Sequence, residues 1–295
     1  MVNSIDIGTA SVNWGFDPLY TWTPKPAFDQ MLDEMARAGY DGTEISYNFP
    51  SDPAALRPEL ERRHLRAAAT FCALDLRESG KHAVAIRSLE PVADRLQLLG
   101  SDTIILSDAP TNERLAVAGR VRDDGSEGLD DAQWRALGDG LNRVGEKLAT
   151  RGMRGVFHPH VGTYVETRHE IDRLCAVTDP ALIGLCPDTG HLAYAGVNPE
   201  ALFRDYADRV GYVHLKDVDG DLLARVRSEK MGFVQAVQVG LFVELGKGIV
   251  AFDRILDSLD KAAYRGWLIV EQDAPRDPIG SATANRRYLR EEFGL

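Results

Sequence analysis

Short apolar segments that end abruptly in polar residues recur along the second half of the chain. The clearest are VFHPH from Val156, GLCPDTGH from Gly184 and GYVHLKD from Gly211, and a fourth, GWLIVEQD, ends at Glu271 and Asp273. Continuous apolar runs of this kind predict strands buried on both faces, which is typical of a parallel sheet covered by helices. The polar endings therefore mark where each strand leaves the sheet.

Helical patterns separate these strands. In the first helix Phe28, Met31, Leu32 and Met35 recur at the spacing of one helix face before Gly39. The predicted strands are 4–9, 40–45, 65–74, 102–107, 153–158, 182–188, 210–215 and 267–272. The predicted helices are 26–38, 53–64, 82–99, 131–150, 170–177, 199–208, 252–263 and 281–293.

This alternation of strands and helices over 295 residues predicts an α/β fold, a TIM (β/α)8 barrel in one domain spanning residues 1–295. An open doubly wound sheet is the alternative, but no GxGxxG motif follows the first strand. Two insertions interrupt the pattern. A polar stretch near 109–130 is predicted to be a long loop, and a segment near 222–242 is predicted to be partly helical.

The carboxyl ends of the strands carry the active site in TIM-barrel enzymes. Here those ends present His158 and His160, Asp188 and His191, His214, Lys216 and Asp217, and Glu271. Each residue alone also has an ordinary interpretation, such as a hydrogen-bonded histidine pair, a turn-capping aspartate or a solvated lysine. Because imidazole and carboxylate groups converge on four consecutive strand ends, we predict one divalent metal ion. Its ligands would be His158, Asp188, His214 and Glu271.

Residues around this cluster are candidates for proton transfer and substrate binding. Lys216 is predicted to act as an acid or to stabilise an oxyanion. Glu44 ends the second strand and could bond substrate hydroxyls or form a salt bridge in the barrel mouth. Trp14 could wall the pocket or pack under its loop, and Asp217 is a further substrate-binding candidate. Three histidines in helical segments are predicted to lie on the surface: His64, His82 and His169.

The glycine-rich segment ELGKGIVAF has a simpler interpretation. No GK[ST] follows it, so it is predicted to be a turn before a helix rather than a phosphate-binding loop.

The composition indicates which class of protein this is, but it does not indicate the reaction. With 44% apolar residues the chain can bury a large core, and its net charge of -11 argues against nucleic acid as a partner. Cys72, Cys175 and Cys186 form no CxxC pair, which predicts reduced thiols in a cytoplasmic protein. No signal peptide or membrane span is predicted. Aromatic residues in the first loop would suit a contact between copies of the chain, so the protein could be a homo-oligomer rather than a monomer.

The ordered segments HPHVGTYVET, PDTGHLAYAG, RVGYVHLKDVD, FVELGKGIVAF and YRGWLIVEQD resemble the xylose-isomerase-like sugar isomerase and epimerase superfamily, and most closely its inosose dehydratase branch. The similarity extends over essentially the whole chain. It implies one divalent ion (Mn, Co, Zn, Fe or Mg) at the ends of strands five to eight. The matching positions here are His158, Asp188, His214 and Glu271, and the implied partner is a small polyol or keto-sugar substrate.

One position departs from the epimerase pattern. Epimerases of the superfamily carry a glutamate on the fifth strand that ligates the metal and exchanges a proton, and this chain has His158 there. The dehydratase branch also carries histidine in this region, which favours elimination over epimerisation. Glu166, further along the same segment, could still serve as a substitute ligand or a substrate contact.

The resemblance implies β-elimination of water from a keto-cyclitol or keto-sugar. His160 or Glu271 would remove the proton next to the ketone, and Lys216 or His191 would protonate the departing hydroxyl. Two other outcomes of the same chemistry stay open: cleavage of a 3-keto-glycoside, and isomerisation or epimerisation by reprotonation. The non-enzyme alternative is a barrel that binds sugar or scaffolds other subunits.

Overall fold

A computed structural model describes residues 5–295 and shows parallel strands closed into a barrel, which confirms the predicted fold. In chain order the barrel strands are Ile5–Thr9, Gly42–Thr43, Arg66–Ala67 with Thr70–Leu74, Thr103–Asp108, Arg154–Phe157, Ile183–Leu185, Val213–Leu215 and Gly266–Val270. The predicted first strand began at residue 4, which lies outside the described residues.

Backbone pairing runs around the whole ring of strands. The first strand pairs in parallel with the last, with Ile7 opposite Leu268. The interrupted third strand is linked to the second by a hydrogen bond from the Ile45 N–H to the Ala69 carbonyl. Parallel bridges, including Asp188 with His214, join the sixth strand to the seventh. The carboxyl ends of strands five to eight therefore lie side by side.

The helices surround this barrel. Their bounds are Phe28–Ala38, Pro53–Glu61, His82–Ser88, Glu90–Leu98, Asn112–Val117, Asp131–Ala149, Arg168–Val177, Thr189–Ala195, Pro199–Asp205, Gly220–Ser228, Phe233–Gln238, Phe252–Lys261 and Pro278–Phe293. Among the helices of residues 5–295, none combines the length and the apolar character needed to cross a membrane.

The strands pack in two directions because successive side chains alternate between the two faces. Ile104 and Leu106 belong to the large core shared with the helices, whereas Ile105 between them packs with Val156 and Ile269 inside the barrel. Both faces of this strand are buried, as its continuous apolar run predicted, whereas in Thr70–Leu74 the side chains of Phe71 and Ala73 are exposed. This interior packing closes the barrel beneath the polar strand ends.

The predicted helix at 82–99 is two helices, His82–Ser88 and Glu90–Leu98. Pro91 has no N–H to donate to the Arg87 carbonyl, so the first helix cannot continue through it. The prediction that His82 lies on the surface is also wrong. His82 is buried with its Nε2 3.0 Å from the Leu76 carbonyl oxygen. His64 and His169 are exposed, as predicted.

The two insertions contain more structure than predicted. The 109–130 segment includes the helix Asn112–Val117, which Thr111 caps and which a pair of 2.9 Å hydrogen bonds from Arg114 to Glu170 ties to the barrel. The 222–242 segment contains most of the helix Gly220–Ser228 and the whole helix Phe233–Gln238. An antiparallel pair, Asp217–Val218 with Phe242–Val243, joins its ends.

Candidate metal centre

Four predicted ligands come together at the carboxyl end of the barrel. His214 Nδ1 lies 3.7 Å from Asp188 Oδ2 and 3.5 Å from Glu271 Oε2, and His158 Nε2 lies 3.7 Å from the same Asp188 oxygen. All four side chains are buried, and Glu271 is the most exposed of them at 8%. We call His158, Asp188, His214 and Glu271 the four-ligand cluster.

The local structure around Asp188 presents one oxygen to this cluster. Asp188 caps the helix Thr189–Ala195, and its Oδ1 accepts the N–H groups of Gly190 and His191 at 2.8 and 2.9 Å. Oδ2 is buried and receives no hydrogen bond. Capping therefore fixes the carboxylate and leaves its second oxygen for another partner.

The spacing of the cluster fits a small divalent ion. Donor atoms that bind one tetrahedral ion at about 2.0–2.2 Å lie about 3.3–3.6 Å apart. Three of the six pairs of donor atoms in the cluster are 3.5–3.7 Å apart, which is close to that range. The donor atoms of His158, Asp188 and His214 lie within 4.8 Å of one another, and Glu271 meets the same limit with His214 and Glu44. Asp188 Oδ2 and His214 Nδ1 are both buried without a hydrogen-bond partner, which is costly for polar atoms unless a ligand satisfies them. The residues present thus fit the ion that the resemblance implies.

Glu44 orients one of these ligands. His214 Nε2 lies 2.8 Å from Glu44 Oε1, and both side chains are buried. A carboxylate that accepts the Nε2 proton leaves Nδ1 as the nitrogen with a free lone pair once the ring is neutral. Of the two sequence-based interpretations of Glu44, the structure shows the salt bridge in the barrel mouth.

The charges of the cluster are balanced by Lys216. Burial alone would raise the pKa of Asp188, but Lys216 and His191 outweigh it and hold that pKa well below its usual range. Burial also opposes ionisation of Glu271, yet the neighbouring His214 and Lys216 lower its pKa well below the ordinary value. Burial disfavours the Lys216 ammonium, but the surrounding carboxylates raise its pKa well above normal. Both carboxylates are ionised at neutral pH.

His160 and His191 stack beside the cluster with ring centroids 3.8 Å apart. Burial lowers the pKa of His160 to about 3, and burial also holds the pKa of His191 well below its usual value. His160 Nδ1 lies 2.6 Å from the Val161 carbonyl oxygen, which can only accept a proton, so Nδ1 carries the hydrogen and Nε2 has the lone pair. His191 Nε2 lies 3.2 Å from Lys216 Nζ.

Two other predicted site residues are occupied elsewhere. Glu166 accepts the backbone N–H groups of Gly119 and Gly162 at 2.7 Å each, so it fastens the 109–130 insertion to the barrel and does not join the four-ligand cluster. The prediction that Glu166 is a substitute ligand or a substrate contact is corrected here, because each of its carboxylate oxygens already accepts a backbone N–H group. Burial raises the pKa of Glu166 to about 7.

Asp217 is likewise structural. Its carboxylate accepts four backbone N–H groups at 2.9–3.0 Å, from Val218, Gly246, Gly248 and Val250. The prediction that it binds substrate is therefore corrected in favour of a loop clamp. Gly248 must be a glycine, since a Cβ there would lie 2.3 Å from Asp217 Oδ1. The glycine-rich segment is a turn, as predicted, and it binds an internal carboxylate.

Trp14 is buried, and its Nε1 donates a 2.7 Å hydrogen bond to Glu34. It also lines a cavity of about 610 Å³, together with Trp22, Phe242 and Asp273, but none of the four cluster residues lines that cavity. Its role as a wall of the substrate pocket therefore stays a prediction.

Three residues near the cluster were missing from the predicted site. Asp273 lies 2.9 Å from Lys216 Nζ and accepts a 2.8 Å hydrogen bond from the Tyr20 hydroxyl. Phe71 is 42% exposed and packs edge-on against His158 at 5.8 Å. Asp273 could have been predicted, because it lies two residues after Glu271 at the same strand end. No sequence pattern distinguishes Tyr20 or Phe71.

Comparison with known proteins connects this geometry to a family. The family model described as xylose isomerase-like TIM barrel matches residues 32–292. The inosose dehydratase of Clostridium beijerinckii (strain ATCC 51743 / NCIMB 8052) is 34% identical over 302 residues, covering 99% of this chain and 98% of that protein.

Solved structures share the fold at low sequence identity. The D-allulose 3-epimerase from Methylomonas sp. superposes with a TM-score of 0.72 at 18% identity, covering 99% of both chains. The IOLI protein, solved with a binding zinc atom, superposes with a TM-score of 0.70 at 15% identity, covering 97% of both chains. At these identities the likeness shows the barrel alone.

Proposed function

The chain belongs to the xylose isomerase-like TIM barrel family, and on that premise we propose that it is an inosose dehydratase-type lyase, which removes water from a keto-cyclitol or keto-sugar with the help of a divalent ion. One observation carries the proposal: the four-ligand cluster lies beside a neutral histidine and a buried ammonium group. The full-length relative named inosose dehydratase supports the reaction class.

In the proposed site His158, Asp188, His214 and Glu271 hold the ion, and its identity among Mn, Co, Zn, Fe and Mg stays open because this mixture of ligands accepts several. When bound, a divalent ion acts as a Lewis acid towards the substrate ketone and makes the neighbouring C–H acidic. Glu44 would serve this site by orienting His214, not by contacting substrate.

His160 is the proposed base. It is neutral at pH 7, and its free lone pair is on Nε2 because Nδ1 faces a carbonyl oxygen. Glu271 is the weaker candidate, since it is also a proposed ligand of the ion and the pKa of its carboxyl group lies even further below neutrality than that of His160. In the proposed step the proton next to the ketone passes to His160 Nε2, and its electron pair forms a C=C bond as the bond to the β-hydroxyl breaks.

Lys216 is the proposed acid. Its ammonium is charged, and it points a proton towards His191 Nε2, which can accept it only as a neutral ring. His191 therefore acts as a hydrogen-bond acceptor in this arrangement, and Lys216 supplies the proton that converts the departing hydroxyl to water. The products are an enone and one water molecule.

The alternatives have their own support. The cavity of about 610 Å³ beside Asp273 would give space for the second group of a 3-keto-glycoside, so cleavage of such a substrate is the second candidate. Isomerisation or epimerisation by reprotonation is the less favoured alternative, because His158 stands where the epimerases carry a glutamate. A sugar-binding or scaffolding barrel would gain nothing from four buried ligands. The free thiols of Cys72, Cys175 and Cys186 agree with the proposed cytoplasmic location.

The proposal is tested with keto-inositol and Mn-loaded protein. We expect enone absorbance to grow, to stop when a chelator removes the ion, and to return when Mn is added back. Asp188→Asn is the matched control, because the amide oxygen can still cap the helix Thr189–Ala195 while the negative ligand is lost. It should fold normally, bind no ion and form no enone. Elimination that continues in chelator would contradict the proposal.

A further inference from the structure

The ammonium group of Lys216 has more partners than protons. Its Nζ lies 2.9 Å from Asp273 Oδ1, 3.0 Å from Glu271 Oε2, 3.2 Å from His191 Nε2 and 3.3 Å from Asp188 Oδ2. The contact with His191 has hydrogen-bond geometry, whereas the three contacts with carboxylates are ion pairs. An ammonium has three N–H donors, so it could not donate to all four partners at once. Lys216 is 1% exposed, so its charge depends on these contacts.

Two of those partners are also needed by the ion. Asp188 Oδ2 and Glu271 Oε2 are the oxygens that face His214 Nδ1 in the four-ligand cluster. Each of these oxygens has two lone pairs, so a divalent cation and an ammonium proton would compete for them. In a site shielded from water the two positive charges also repel strongly. Binding of an ion is therefore favoured when Lys216 moves away from both oxygens while keeping its charge in a buried site.

Asp273 lies where its carboxylate can stabilise the positive charge of Lys216. Its Oδ1 is buried, has no hydrogen-bond partner and forms an ion pair with Lys216 Nζ at 2.9 Å, while Oδ2 accepts a 2.8 Å hydrogen bond from the Tyr20 hydroxyl. Among residues 5–295, the groups of side chains whose atoms could hold an ion are His158 with Asp188 and His214, and Glu44 with His214 and Glu271, and Asp273 belongs to neither. Tyr20 and Asp273 are themselves buried, so the pair forms a fixed acceptor on the far side of the ammonium.

We propose that Asp273, held in place by Tyr20, is a positioning residue that draws the Lys216 ammonium off Asp188 and Glu271 so that these carboxylates can bind a divalent ion. The inference rests on the metal centre of the proposed function. It predicts that Asp273 affects ion binding through Lys216 alone.

The test is a double-mutant cycle on the full chain, with Co²⁺ affinity measured by its visible absorption and by calorimetry. Asp273→Asn should weaken Co²⁺ binding about 10- to 100-fold, the usual range for a residue that acts behind a ligand. Tyr20→Phe removes no charge and should weaken binding in the same direction by less. In a Lys216→Met background, Asp273→Asn should change affinity by no more than about twofold, because its target is gone.

Glu244→Gln is the control for a lost negative charge near the site, since Glu244 contacts Ser281 and Lys247. It should leave Co²⁺ affinity at the wild-type level. An equal loss from Asp273→Asn with and without Lys216 would show that Asp273 acts on the ion directly and would overturn the inference. Unweakened binding in Asp273→Asn would overturn it too.

The folding of each variant is checked by circular dichroism and thermal unfolding. If Asp273→Asn does not fold, Tyr20→Phe takes its place in the same cycle, with the same two outcomes. A wild-type protein that binds no Co²⁺ would refute the proposed metal centre as well. A wild-type protein that binds Co²⁺ and shows the predicted cycle, but does not dehydrate keto-inositol, would leave the inference standing and overturn only the reaction.

Discussion

The contact between Glu44 and His214 allows a sharp test of how the metal ligands are oriented. His214 Nε2 lies 2.8 Å from Glu44 Oε1 in a buried environment. Glu44→Leu removes the acceptor, leaves the Nε2 proton without a partner and frees the ring to turn. Glu44→Gln keeps a carbonyl oxygen at the same reach. The two variants therefore separate loss of orientation from loss of charge.

The expected size of the effect follows from the contact. A hydrogen bond to a charged group contributes about 1.5–3 kcal/mol, and partners of metal ligands typically change affinity about 10- to 100-fold. Glu44→Leu should therefore weaken Zn²⁺ or Co²⁺ binding about 10- to 100-fold. Glu44→Gln should cost less than about tenfold, because the tautomer of His214 is kept.

Competition with a chromogenic chelator measures these affinities directly. Glu34→Gln is a matched control, since Glu34 is a buried carboxylate that accepts a hydrogen bond from Trp14 Nε1 and has no contact with His214 among the described residues. It should bind the ion as the wild type does. Wild-type affinity in Glu44→Leu would refute the orienting role. An equally large loss in both Glu44 variants would show that Glu44 is itself a ligand.

Three further predictions concern stability. Burial raises the pKa of Glu166 to about 7 from an ordinary 4.5, so the folded state binds the extra proton between these values and loses stability as pH rises through about 7. Urea titrations give the free energy of unfolding of the wild type and of Glu166→Gln at each pH. The wild-type value minus the variant value should fall by about 2–3 kcal/mol between pH 5 and pH 8. A difference that does not change with pH would contradict the raised pKa. Asp217→Ala leaves four N–H groups without their acceptor and should lower the free energy of unfolding by about 2–4 kcal/mol, unless water replaces the carboxylate. Phe157→Ala should cost about 3–5 kcal/mol in the same assay with metal content unchanged, and a loss of the ion would show that the core also shapes the metal centre.

The sequence predicted the parts of the site that lie on strands. Apolar runs predicted each strand, and parallel strands in a barrel bring their carboxyl ends together, so His158, Asp188, His214 and Glu271 could be grouped without knowing a distance. Their residue types indicated a metal ion. The grouping stays a prediction until an ion is measured, although the spacing of the donor atoms agrees with it.

Contacts made by loops could not be predicted in the same way. Nothing in the spacing of Tyr20 and Asp273 shows that the first loop folds back over the last strand, because loop paths depend on packing rather than on periodicity. Asp217 follows Lys216 in the chain and was grouped with it, but three backbone donors from a distant turn engage its carboxylate. Glu166 was misassigned for the same reason.

Short helices escaped prediction because one or two turns give too little periodicity. The helix Asn112–Val117 exists through its cap and the buried ion pair of Arg114 with Glu170, both of which are tertiary features. The burial of His82 has a similar origin, since it depends on a close approach to Gly140 that only the folded chain reveals.

The central claim is that a divalent ion and the residues beside it remove water from a keto-cyclitol. Its most direct test is the mass of the product when Mn-loaded protein acts on keto-inositol in deuterated water. The account predicts a product that has lost one water molecule, formed by wild type and not by Asp188→Asn. A product of unchanged composition that carries deuterium beside the ketone would contradict it, because that product records reprotonation without elimination.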